Sequence, residues 1–168
     1  MITKEIANAL FNYDPESGSL TWAFDSGQIV KGREVGTNQY SAVSTTKYRG
    51  VSIFGIRYKV HRIIWLIQTG DWPKGEIDHI DGNGLNNSWR NLRDVTHSQN
   101  MMNAAVRSDS TSGFKGVSYD KERERWYAYI NVEGKRKMLG RHKTKQEAIA
   151  ARKSAQDALF GEFARTNQ

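Results

Sequence analysis

Residues 76–100 constrain the fold of this chain more than any other stretch. Ile77 to Ile80 reads as a short strand, and Asp81-Gly82-Asn83-Gly84 is turn chemistry, in which aspartate, asparagine and glycine accept tight backbone conformations. Leu92 to Val95 is the returning strand, and Thr96 can cap a helix that runs through Gln99, Asn100 and Met101. The order is strand, loop, strand, helix. The same stretch sets out a carboxylate and an imidazole in Asp78-His79, an amide in Asn91-Leu92-Arg93, and a second amide in Asn100.

Those side chains suit the hydrolysis of a phosphodiester, which needs a nucleophile, stabilisation of phosphoryl charge and help for the leaving 3′ oxygen. The oxygens of Asp78 and Asn100 are hard ligands suited to Mg²⁺, which keeps its other positions for water and substrate phosphate. His79, with an ordinary pKa of about 6.5, is largely neutral at pH 7 and can take a proton from water. The chain has no cysteine, so any metal must sit on oxygen or imidazole, and neither a disulfide nor a thiolate zinc site can staple small modules. An EF-hand does not fit, because Asp78, Asp81 and Asn83 do not alternate and no glutamate closes the loop. Neighbours in a regular strand point to opposite faces, so Asp78 and His79 can converge on one phosphate only where the strand twists or ends.

The order Asp-His, Asn-Leu-Arg, Asn resembles the HNH nuclease signature, in the variant that ends on Asn and is found in phage intron-homing endonucleases. The resemblance implies a ββα-metal core in which Asp78 and Asn100 bind one divalent ion, Mg²⁺ or Mn²⁺. It further implies that His79 is the general base and that Asn91 latches the loop between the strands. His61 recurs in that family, where it would pack near the site, and equally suits a structural role. His97 reads as supporting or solvated, and His142 as a surface residue.

On the amino-terminal side, Leu10 to Tyr13 and Ser19 to Phe24 read as two strands around a Pro/Gly turn. Glycines then mark a loop-rich stretch, Val51 to Val60 alternates like a strand around Gly55, and Ile63 to Ile67 reads as a short buried helix stopped by Gly70 and Pro73. On the carboxy-terminal side, residues 105–112 look like a linker. Beyond it come three strands and a helix. Trp126, Ala128, Ile130 and Val132 alternate with Tyr127, Tyr129 and Asn131, so one face is core and the other polar-aromatic. Thr144 to Glu147 forms a capping box, and Ala148, Ala151, Ala155 and Ala158 or Leu159 line the helix face.

The net charge of +7 is concentrated at this end, where residues 113–168 carry 13 of the 25 Lys and Arg but only 7 of the 18 Asp and Glu. Such a surface fits nucleic acid or a merely solvated face. Phe114-Lys115-Gly116-Val117, Trp126 to Ile130, Leu139-Gly140, Glu147-Ala148 and Gly161 resemble the plant Apetala-type DNA-binding domain. That resemblance implies that Lys115, Ser118, Arg125, Tyr127, Tyr129, Asn131, Arg136 and Met138 face DNA. Ser118, Asp120 and Asn131 stand where the plant domain carries arginine, so its base preference does not transfer.

The expected fold is α+β: an amino-terminal β-rich segment (1–60), a ββα-metal core with a preceding helix (61–104), a linker (105–112) and a three-stranded antiparallel sheet with a helix (113–168). The expected activity is metal-dependent cleavage of double-stranded DNA by a homing-type enzyme. One site per chain implies nicking by a monomer unless the protein dimerises. The alternative is a DNA-binding regulator on a degenerate nuclease scaffold. No segment is apolar for long enough to cross a bilayer, and the expected location is the cytoplasm, that of the host if the chain is phage-encoded.

Overall fold

Thr3 starts a helix where the sequence suggests none, its hydroxyl accepting a hydrogen bond from the Ile6 amide at 3.4 Å. This is α1 (Lys4–Leu10), seen in a computed structural model that describes residues 1–40, 47–103, 110–132 and 134–160, without the side chains of residues 40, 102, 103 and 160. Leu10, expected to open a strand, closes this helix, because the Thr3 cap and the fully buried Ala7 favour the helical turn. The chain divides into two units, residues 1–95 and 96–168. Both are mixed α and β, as expected for the α+β class.

In the first unit β1 (Phe11–Tyr13) and β2 (Leu20–Trp22) form an antiparallel hairpin. The Asp14 carboxylate ties its turn together by accepting from the Glu16 amide at 3.1 Å and the Ser17 hydroxyl at 2.5 Å. A three-stranded antiparallel sheet follows, built from β3 (Thr37–Tyr40), β4 (Lys47–Ile53) and β5 (Ile56–Lys59) in that order. Thr37-Asn38-Gln39 has no apolar alternation, and a loop is what such residues predict for β3. It is a strand because the edge of β4 pairs with it.

Helix α2 (Val60–Thr69) begins earlier than its apolar run and ends at Gly70, which takes a left-handed φ of 93° and donates its N–H to the Leu66 carbonyl. Ile63 and Ile64 are fully buried and Leu66 nearly so. Around them pack Ile2, Phe11, Leu20, Val35, Ile53 and Tyr58. Ile77 and Leu92 join the same core, and they belong to the last pair of strands in this unit, β6 (Glu76–His79) and β7 (Leu92–Val95). Helix α2 and the Asp78-His79 strand thus share one core.

The second unit opens with α3 (His97–Asn103), which carries a reciprocal capping box: the Thr96 hydroxyl accepts from the Gln99 amide, and the Gln99 side chain accepts from the Thr96 amide. β8 (Val117–Asp120), β9 (Arg125–Val132) and β10 (Lys135–His142) form an antiparallel sheet with β9 in the centre. Under it lies α4 (Lys145–Phe160), with Ala148, Ala128 and Ile130 almost wholly buried. The expected helix face holds only in part. Ala158 and Leu159 are exposed, and the buried residue one turn beyond Ala148 is Arg152, against Gly116. Residues 105–109 of the expected linker, Glu133 and Gly161 lie outside the described residues.

Candidate catalytic loop and basic sheet

Cross-strand register places Asp78 opposite Arg93 and His79 opposite Leu92. Alternation therefore sends Asp78 and His79 to different faces, and His79 is the last residue of β6. Asp78 is buried and its Oδ2 accepts from both Nε and Nη2 of Arg93 at 2.8 Å. Arg93, part of the Asn-Leu-Arg run, thus has a defined partner. Two donors converging on one carboxylate oxygen make a strong charge-assisted pair.

His79 is held on its far side. Its Nε2 lies 3.0 Å from Oδ1 of Asn87, and an amide oxygen only accepts, so Nε2 carries the proton. Burial pushes the His79 pKa down; the Asn87 bond and the carboxylates of Asp81 and Asp78 oppose this, and Lys59 adds to it. The ring is therefore neutral at pH 7, with its lone pair on Nδ1. His61 of α2 stands edge-on to it, 5.1 Å between ring centres, and Tyr48 of β4 lies 5.8 Å from His79 and 5.3 Å from His61. Burial, reinforced by His79, Lys59 and Arg62, holds the His61 pKa far below its ordinary value. His61 is thus a neutral wall of the site.

The loop between the strands is stitched by Asn91. Its Oδ1 accepts from the Asp81 amide at 3.0 Å, while its Nδ2 donates to the Asn86 carbonyl at 2.7 Å and to the Asp81 carboxylate at 3.0 Å. Asp81 also accepts from the Asn83 amide and the Asn86 side chain. Burial alone would raise the Asp81 pKa, but the bonds from Asn86, Asn83 and Asn91 outweigh it, and its carboxyl sits below the usual range.

Sequence reasoning missed Asn87 and the segment that grips it. The Tyr13 hydroxyl donates to the Asn87 carbonyl at 2.8 Å, and the Trp89 amide donates to the Pro15 carbonyl at 2.9 Å. Gly18, at φ 76°, approaches so closely that a Cβ there would stand 2.3 Å from the Ser88 nitrogen. The amino-terminal hairpin thus clamps residues 87–89. The adjacent Asn86-Asn87 pair in a loop full of turn residues was the one available signal, and a loop amide alone does not announce its partner.

Asn100 lies on α3 in the second unit and is half-buried; His97 begins that helix and is exposed. HNH nucleases generally use a divalent metal. The donor chemistry fits a hard cation, since the Asp78 carboxylate and the Asn100 amide both offer oxygen, and Mg²⁺ takes only one or two carboxylates alongside water and phosphate. Among the described residues no three of His, Cys, Asp and Glu are gathered as a metal cage.

In the second unit, Arg125, Tyr127, Tyr129 and Asn131 share one face of β9. The register sets Ser118 beside Tyr127, Met138 beside Tyr129 and Arg136 beside Asn131. The Arg136 guanidinium stacks over the Tyr129 ring at 4.2 Å, and the Tyr127 and Tyr129 rings are stacked at 6.1 Å. A register shift between Met138 and Gly140 then puts Arg141 opposite Tyr127, adding to this face a cation that strict alternation assigns to the other side. Lys115 lies before β8 and donates its Nζ to the Met101 carbonyl; burial, helped by Arg152, brings its pKa down to about 8.

The HNH endonuclease family pattern matches residues 58–102, a span that contains Asp78, His79, Asn91 and Asn100. Over 106 residues the chain is 40% identical to Protein 3.8 of Escherichia phage T7, covering 62% of this chain and 87% of that protein. Over 142 residues it is 32% identical to a protein of Acanthamoeba polyphaga mimivirus named as an uncharacterized HNH endonuclease, covering 80% of this chain and 73% of that one. A shorter match, 48% identical over 48 residues and 28% of each chain, is to an SPbeta prophage protein of Bacillus subtilis (strain 168) whose name gives it, provisionally, as an HNH homing endonuclease. No solved structure matches. Extending well beyond the motif itself, these likenesses mean that the chain belongs to the HNH endonuclease family.

Proposed function

We propose that this protein is a metal-dependent endonuclease that hydrolyses phosphodiester bonds of double-stranded DNA, with His79 as general base. The observation that carries the reading is the neutral His79 ring, buried and fixed through Nε2 by Asn87, next in sequence to the buried Asp78. Nδ1 then takes the proton from water, a contribution of roughly 10² to 10⁴ in rate. Asp78 and Asn100 are the proposed metal ligands, with Mg²⁺ or Mn²⁺ as the ion. A divalent cation, when bound, supplies positive charge that offsets the developing charge on phosphate and leaving oxygen, worth several kcal/mol. Asn91 acts on the shape of the loop.

The second unit is the proposed DNA anchor, with an Apetala-type sheet that offers Arg125, Arg136 and Arg141 to phosphates and the tyrosines and Asn131 to base edges. A homing-type role in a phage-infected host cytoplasm fits the phage relatives. Among the described residues no helix is long and apolar enough to cross a membrane.

Incubation with supercoiled plasmid and Mg²⁺ tests the reading. The wild type nicks the plasmid, and His79→Ala slows nicking by about 10² or more with binding retained. Plasmid left intact where the protein binds it would favour the non-catalytic regulator.

A further inference from the structure

We infer that Phe54 is a wedge that enters a base step of the duplex DNA on which this protein acts, an inference that rests on the endonuclease reading. β4 and β5 are joined by Phe54-Gly55, with Ile53 paired to Ile56. Their φ values are 49° and 77°, both left-handed, which is the mirror-image hairpin turn that Asn-Gly suits best. A bulky aromatic is a genuine outlier in that conformation. Phe54 gains nothing from burial in return, being 78% exposed, and Ile56 beside it is 48% exposed. A position that opposes both backbone preference and the hydrophobic effect points to a role outside the folded chain.

The surroundings identify the partner. Residues 47–59 carry Lys47, Arg49, Arg57 and Lys59 and no acidic residue. A run with four basic residues and no acidic one, even with Arg49 ion-paired to Glu34, carries the positive potential that complements a phosphate backbone. β4 also links the tip to the site, since Tyr48 at its start touches the His79 cluster. From Tyr48 to Phe54 the strand spans roughly 20 Å, the length of about six base-pair steps. Apolar side chains that enter such steps unstack them and bend the duplex, which wraps more of it onto the protein.

Phe54→Asn separates the wedge from any structural role because the two effects have opposite signs. The substitution restores the preferred turn, so the thermal midpoint holds or rises, while affinity for short plasmid-derived duplexes and the nicking rate fall about tenfold or more. With 2-aminopurine placed at successive steps, the wild type gives a fluorescence rise at one of them, Phe54→Leu retains it and Phe54→Asn abolishes it. A Phe54→Asn protein that binds, unstacks and nicks like the wild type would overturn the inference, as would a wild type that nicks with no 2-aminopurine response at any step. A wild type that unstacks one step yet never nicks would sink the endonuclease reading and leave the wedge standing.

Discussion

Asn87 does for His79 what composition alone could not predict: it fixes which ring nitrogen holds the proton. Removing the acceptor leaves a buried N–H unsatisfied, a loss of about 1–3 kcal/mol. If that loss falls on the orientation of the base, Asn87→Leu slows nicking by about tenfold or more. Nitrogen NMR of the imidazole should show the Nε2–H form in the wild type and in Asn87→Asp, and lose its dominance in Asn87→Leu; an unchanged ring and rate would remove Asn87 from the mechanism. Tyr13, which holds the Asn87 carbonyl, carries a different signature. Burial, with Asp14 adding to it, pushes its pKa from 10.0 up to about 12. A raised pKa means that the folded state favours the protonated phenol. Its contribution is therefore complete below pH 10 and is lost as pH rises from 10 towards about 12. Tyr13→Phe should cost about 1 kcal/mol at neutral pH and flatten the stability profile in that alkaline window, measured by urea unfolding across a pH series.

At the scale of elements, α2 decides whether the site exists. Ile63 and Ile64 are fully buried in the core that Ile77 of β6 also joins, so Ile64→Ala should cost about 2–5 kcal/mol in urea unfolding. A loss under 1 kcal/mol would mean that the core can collapse around the gap. The helix was legible from its apolar run, and β6, β7 and β9 from their patterns, because each must bury one side or turn at a marked place. α1 and β3 were not legible. The first depends on the Thr3 cap and the burial of Ala7, the second on an available strand edge, and neither leaves periodicity in so short a segment. Arg141 shows the same limit, since its face depends on a register shift that an alternation count cannot see.

At the scale of the whole molecule, the basic charge gathered beyond residue 113 predicts a salt-sensitive grip on DNA. Each phosphate contact contributes about 0.9 to the slope of log affinity against log salt. Replacing Arg125, Arg136 and Arg141 together with Gln should lower that slope by about two to three, measured by binding titrations across salt concentrations. An unchanged slope would move the anchor elsewhere on the chain.

By itself the sequence determined the chemistry on offer and its local frame. Asp78-His79, Asn91 and Asn100 stand in strand, loop and helix because turn residues, alternation and a capping threonine act over a few neighbours and leave their mark in the residues themselves. The tertiary structure alone decided the contacts of those side chains. Arg93 on Asp78, His61 and Tyr48 around His79, and above all the clamp from Tyr13 and Gly18 through Asn87 join residues far apart in the chain. Such contacts depend on packing a common core, and packing is a property of the folded whole that no local pattern encodes.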